Sequence, residues 1–334
     1  MASPKQSRLE RELETLRPAL QSPDAPGSHA LFGAALTRSQ SFVAAKAATA
    51  IREHRLEGFE DDLKAAFDRF LRDPIKTDPG CLAKLATLEA LDHLEVSDDA
   101  PFVKAIRHFQ LEPAYKKPVD TAAGLRARGA MGLARLGHPD FLLLLADLLA
   151  DPEPNVRQAA ADALAFRGDR AGAATLQLKL NHGDEEPEVL LACLSGLVAL
   201  APDWGLRKAG ALLAGKDEPM REIAAMALGE SRRDDALDEL FRALDDEVLS
   251  PRRALLLRAV AMHRSDRALE KLLAIIAAGA RPDAEAAIEA LAFRALEPGL
   301  HDRVMEAVKQ SPHPALADAA RAALDPRRPR ESTE

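Results

Sequence analysis

The chain carries 45 basic and 53 acidic side chains among its 334 residues, is 47% apolar and is only 4% aromatic. A single core usually stops growing near ~250–300 residues, so this length implies two globular domains or an elongated array, and the apolar share excludes global disorder. A net charge of −8 removes any overall attraction to phosphate backbones or anionic lipid, and one Trp with one Tyr argues against an aromatic-lined ligand pocket.

The first ten residues lack an apolar secretion core, and the apolar runs, such as 141–146, are too short to span a bilayer. Cys81 and Cys193 are far apart and suggest a reducing compartment, so the cytoplasm is the expected location. Leu9, Leu13, Leu16 and Leu20 step at helical spacing, with Pro18 expected to end or kink that helix. Residues 1–27 therefore read as an amphipathic helix and a flexible linker. They form either a cap on the first repeat or an arm that docks elsewhere.

Self-similarity dominates the remainder of the chain. Pro154, Pro187, Pro219, Pro251, Pro282 and Pro314 are separated by 33, 32, 32, 31 and 32 residues, and Pro118 and Pro79 extend the series backwards with steps of 36 and 39. Proline suits the first turn of a helix, and each one from Pro154 onward precedes an Ala- or Leu-rich helical stretch. Ser250 is the expected N-cap of one of them, and Asp184, Glu185 and Glu186 crowd the positive end of another. A second helix completes each unit: Leu237, Leu240, Phe241 and Leu244 form a one-sided stripe, repeated 32 residues later by Leu269, Leu272, Leu273 and Ile276. No period-2 alternation is long enough to predict a strand.

The segment 151–169, Asp-Pro-Glu-Pro-Asn-Val-Arg-Gln-Ala-Ala-Ala-Asp-Ala-Leu-Ala-Phe-Arg-Gly-Asp, resembles a HEAT repeat of the short kind found in bilin-lyase-like proteins, with weaker copies over about 35–324. The resemblance implies an all-α fold: a right-handed α-solenoid of stacked antiparallel helix pairs, a HEAT-like or armadillo-like superhelix with the proline-started helices on its concave side. The expected solenoid occupies 28–324, with irregular longer repeats over 28–118 and regular repeats over 119–324, and the tail 325–334 is expected to be disordered.

The constellations required for chemistry are missing. An iron centre of the deoxyhypusine hydroxylase kind needs His-Glu pairs, and none of the nine histidines precedes a Glu. The two cysteines lack a second Cys or His at zinc-ligand spacing, and no phosphate loop or nucleophile elbow is present. Cys193, amid leucines, reads as a small buried hydrophobe, Trp204 as a plug between two repeats, and Arg157 and Arg221 as partners of acidic groups in adjoining units. HEAT-like DNA repair needs a basic, aromatic-rich surface, which this acidic chain does not offer. A bilin lyase or cofactor chaperone stays open through the resemblance alone.

The leading expectation is a non-catalytic scaffold that binds a protein partner on its concave face and long early loops, without cofactor, metal, membrane, nucleic acid or small molecule. The long early loops, 73–80 and 111–118, occupy the same slot in adjacent repeats and should lie side by side on one edge. From them and their flanks come ten candidate contacts: Lys76, Asp78, Lys104, Arg107, Glu112, Tyr115, Lys116, Lys117, Asp120 and Arg126. Across 103–128 six basic residues face two acidic ones, opposite in sign to the whole chain.

Overall fold

The computed structural model describes residues 8–325, and its chain divides into two compact units, Met1–Arg167 and Gly168–Glu334. The expected disordered tail lies almost wholly outside the described residues. Both units are all-α stacks of antiparallel helix pairs, and among the described residues the exceptions are one two-stranded ribbon and two short 3-10 turns.

In the first unit, α1 (Arg8–Gln21) packs on α2 (Ser28–Leu36) and α3 (Ser41–Glu53). Pro18 does not end α1, which continues to Gln21. Leu16 and Ala19 flank the proline and are buried, so packing outweighs the local loss of one backbone donor. One row of helices runs α3, α6 (Leu82–His93), α8 (Ala123–Leu136) and α10 (Pro154–Arg167), each packed on the next. Behind it stand α4 (Glu60–Phe70), α7 (Ala100–Ile106) and α9 (Phe141–Leu148). The segment 73–80, expected as a loop, contains the single-turn α5 (Pro74–Thr77) and the start of a 3-10 turn, Pro79–Cys81.

The second unit repeats the scheme more regularly. Its first row is α12 (Pro187–Leu200), α14 (Glu218–Glu230), α16 (Ser250–Met262), α18 (Arg281–Leu291) and α20 (Leu316–Ala323). Its second row is α11 (Gly172–His182), α13 (Pro202–Leu213), α15 (Asp234–Asp246), α17 (Asp266–Ala278) and α19 (Leu300–Gln310). Leu237, Leu240 and Leu244 of α15 and Leu269, Leu272 and Ile276 of α17 are buried, as their spacing requires. Cys193 is buried on α12.

Two local expectations fail for geometric reasons. Ser250 is the first residue of α16 rather than its cap, and the loop amides of Val248 and Leu249 donate to the Glu247 carboxylate at 2.9 Å instead. Trp204 is 59% exposed, with the Arg207 guanidinium 4.7 Å over its ring. The buried face of α13 is Gly205, Ala209 and Leu213, and one residue of helical rotation turns Trp204 off that face. The junction is closed by backbone: a Cβ on Gly205 would lie 2.5 Å from Val198 Cα of α12.

Among the described residues no helix is long and apolar enough to cross a membrane.

Candidate functional site: an anchored hairpin on the first unit

The stretch 111–120 forms a β-hairpin, not an irregular loop. Strands β1 (Leu111–Glu112) and β2 (Val119–Asp120) pair antiparallel, Leu111 opposite Asp120 and Glu112 opposite Val119. Two-residue strands fall below the length at which alternation is visible in a sequence. Every residue from Pro113 to Val119 is exposed, and Tyr115 at the tip is fully so. Leu111, Val119 and Phe109 are about half exposed.

An isolated two-stranded ribbon is marginal in water, so something must hold it. One anchor is the Glu112 carboxylate. It accepts from the backbone N–H of Gly80 (2.6 Å), from Gln110 Nε2 (2.6 Å) and from Thr121 Oγ1 (2.8 Å). Gln110 Nε2 also donates to the Asp78 carbonyl (2.9 Å), and Cys81 Sγ donates to Gln110 Oε1 (3.3 Å). The two early loops are thus joined along one edge. Burial pushes the Glu112 carboxyl up, but the Gly80, Gln110 and Thr121 hydrogen bonds outweigh it and leave the group below its usual range. Burial pushes the Cys81 thiol up against the opposing pull of Lys84, so it stays protonated at neutral pH.

The second anchor is ionic and fully buried. Arg126 on α8 donates to Asp120 (2.6 Å), to both oxygens of Asp151 (2.8 Å each) and to the His108 carbonyl (3.1 Å), and its guanidinium lies 3.9 Å from the Phe109 ring centre. Asp120 also accepts from the N–H groups of Gln110 and Ala122 at 3.0 Å. Burial raises the Asp120 carboxyl, but these amides and Arg126 together bring it below its ordinary value. In the preceding repeat Lys84 and Asp78, both completely buried, pair at 3.0 Å, and Asp78 caps α6 through the N–H groups of Ala83 and Lys84.

These contacts follow a spacing that the sequence already holds. Lys84 returns to Asp78, Arg126 to Asp120, Arg157 to the Asp151 carbonyl, Arg221 to the Gly215 carbonyl and Arg253 to the Glu247 carbonyl, each six residues back. Several also reach forward to an acid in the next repeat: Arg126 to Asp151, Arg221 to Glu247 (3.6 Å) and Arg253 to Asp283 (2.9 Å). A long cation on the first turn of five of the first-row helices, α6, α8, α10, α14 and α16, thus fastens the loop behind it, and Arg126, Arg221 and Arg253 also tie down the repeat ahead.

The ten candidate contacts divide accordingly. Asp78, Asp120 and Arg126 are buried and occupied with one another's loops, so they position the surface and cannot touch a partner. That corrects their assignment as contacts. The six-residue spacing of Asp120 and Arg126 matches that of Asp151 and Arg157 and was the signal for it. Glu112 is mostly spent as the hairpin anchor. Lys76 is exposed and pairs with Asp73 (2.9 Å), and Lys104 is half exposed and pairs with Asp68 (2.7 Å). Arg107, Tyr115, Lys116 and Lys117 are exposed, and the three cations have no carboxylate partner among the described residues. Phe109, Leu111 and Val119 are exposed neighbours that the charge-based reading passed over.

Among the described residues no three His, Cys, Asp or Glu side chains converge as a metal set would.

No curated protein matches the sequence. The fold is similar to the complex of CpcE and CpcF of phycocyanin lyase from Nostoc sp. PCC7120, at 17% identity and a TM-score of 0.29, over 72% of this chain and 90% of that one. It is also similar to human deoxyhypusine hydroxylase in complex with glycerol, at 20% identity and a TM-score of 0.33, over 80% of this chain and 96% of that one. Superposition at this level transfers no activity. Residues 118–209 match the family model of HEAT repeats, and helix pairs of the same build lie on both sides of that stretch. Residues 118–209 are thus similar to HEAT repeats.

Proposed function

We propose that the protein is a non-catalytic scaffold that binds a protein partner through the hairpin edge of its first unit. The observation that carries this reading is the contrast between the hairpin's interior and its surface. A buried ion-pair network and the Glu112 hydrogen bonds hold a ribbon that turns outward a fully exposed Tyr115, the unpaired cations Lys116 and Lys117, and half-exposed Phe109, Leu111 and Val119. Tyr with Arg or Lys beside apolar side chains is the composition favoured at the centre of protein interfaces. A rigid platform also lowers the entropy lost on binding.

The test compares affinity capture from the native host by the wild-type protein, by Tyr115→Ala/Lys116→Glu/Lys117→Glu and by Trp204→Ala. The hairpin variant is expected to lose a partner that the other two retain. Identical captures by all three would sink the hairpin as the binding edge.

A further inference from the structure

Resting on the scaffold reading, we infer the chemistry of the partner: an acidic amphipathic helix that docks in a groove beside the hairpin. The groove, of about 200 Å³, runs between α3 and α6. Its walls are Phe42, Lys46 and Thr49 on one helix and Leu82, Leu85 and Glu89 on the other. Each trio follows helical spacing, so the walls are two ridges on neighbouring helices, the relief into which a third helix lays a ridge of its own. Phe42 is 41% exposed and Leu82 50% exposed, so two large apolar side chains meet solvent side by side at adjacent helix starts. Towards α8 the wall ends at Gly124, where a Cβ would meet Leu85 at 3.9 Å, so a small residue keeps that end shallow.

Charge selects the occupant. The carboxylate in the groove, Glu89, is already engaged by Arg52 and by Arg128 at 3.7 Å. Lys46 holds its ammonium 5.6 Å over the Phe42 ring and has no carboxylate partner among the described residues. The hairpin continues the same sign: Glu112 is bonded to Gly80, two residues before Leu82, and Lys116 and Lys117 stand at the tip. The groove and the tip together offer apolar side chains and three uncompensated cations in a chain whose net charge is −8. The complementary segment has apolar residues on one face and Asp or Glu on its flanks. It would set carboxylates against Lys46 and, where it leaves the groove, against the hairpin tip.

Fluorescence anisotropy on the full chain tests this with three labelled helical peptides: Leu on one face with Glu on the other, the same with Lys for Glu, and the same with Ser for Leu. The first is expected to bind about tenfold or more tightly than either control and to weaken as salt rises. Lys46→Glu/Lys116→Glu/Lys117→Glu and, separately, Leu82→Glu are each expected to lose about tenfold. Lys216→Glu, an exposed change in the second unit, should lose nothing. All the substituted side chains are exposed, and an unchanged circular dichroism melt verifies that the fold persists. Equal binding of the Glu and Lys peptides, or full affinity in both groove variants, would overturn the inference. So would equal binding of the Ser-for-Leu peptide, which would mark the site as a plain anion sink. If host capture instead yields a hairpin-dependent partner whose contacting segment is basic or uncharged, the scaffold reading stands and this one falls.

Discussion

The two units fasten their loops with the same device at different depths. In the first unit the cations Lys84 and Arg126 and their acids Asp78, Asp120 and Asp151 are all buried. In the second, Arg221 and Arg253 reach carbonyls six residues back, but the acids they meet, Glu218, Glu247 and Asp283, lie at or near the surface. The early loops are longer and one carries a ribbon, so their backbone polar groups need interior partners. The regular loops are short and solvated. Buried charge is concentrated where the loops are long, and it ties the hairpin to the edge of the repeats.

The most direct challenge to this contrast in depth is to remove one cation from each unit. Arg126→Met leaves two buried carboxylates without their cation, held by backbone amides alone, and is expected to destabilise by about 3–5 kcal/mol. Arg253→Met, whose partners reach water, should lose about 1–2 kcal/mol. Urea unfolding measures both, and equal losses would refute the difference in depth. The same pair of variants has a local readout: iodoacetamide labelling of Cys81 should accelerate in Arg126→Met while Cys193 stays protected, as peptide mapping would reveal.

Backbone closeness gives the next effect. A Cβ on Gly229 of α14 would sit 2.5 Å from the Ala259 carbonyl oxygen of α16, so Gly229→Ala is expected to cost about 1–3 kcal/mol by thermal unfolding. Gly124→Ala meets only an ordinary contact and should be neutral or stabilising by up to about 1 kcal/mol.

Acid should loosen the hairpin anchors more gently. The Asp120 and Glu112 carboxyls are held below their unfolded values, so their contribution is full above about pH 4 and is lost as pH falls through the depressed folded values. Between pH 5 and 3 the urea midpoint of the wild type should therefore fall further than that of Asp120→Asn. Parallel curves would remove the carboxylate anchor from the account. Smallest of all, Tyr115→Ala and Trp204→Ala should leave the melting temperature unchanged, since both rings stand in solvent.

The repeat architecture was legible because its signals are local. A proline every 32 residues or so marks helix starts, and Leu237, Leu240 and Leu244 mark the buried side of a helix by rotation alone. The candidate site was legible in place but not in detail. The two long loops are joined along one edge, and Tyr115, Lys116 and Lys117 lie exposed there. Reading Arg126 and Asp120 as surface charges failed because charge type says nothing about depth, although their six-residue spacing did carry the answer. The ribbon, the exposed apolar flank and the groove between α3 and α6 had no sequence signal strong enough to find them.

The order of residues along the chain was enough to set which segments are helices, how often they recur and which faces turn inward, since these depend on residues three or four positions apart. Which charges lie inside, what supports the hairpin and where apolar side chains meet in a groove were settled only by packing. Those outcomes depend on atoms brought together from different repeats, and burial, which sets the strength of every ion pair here, belongs to the neighbourhood and not to the residue.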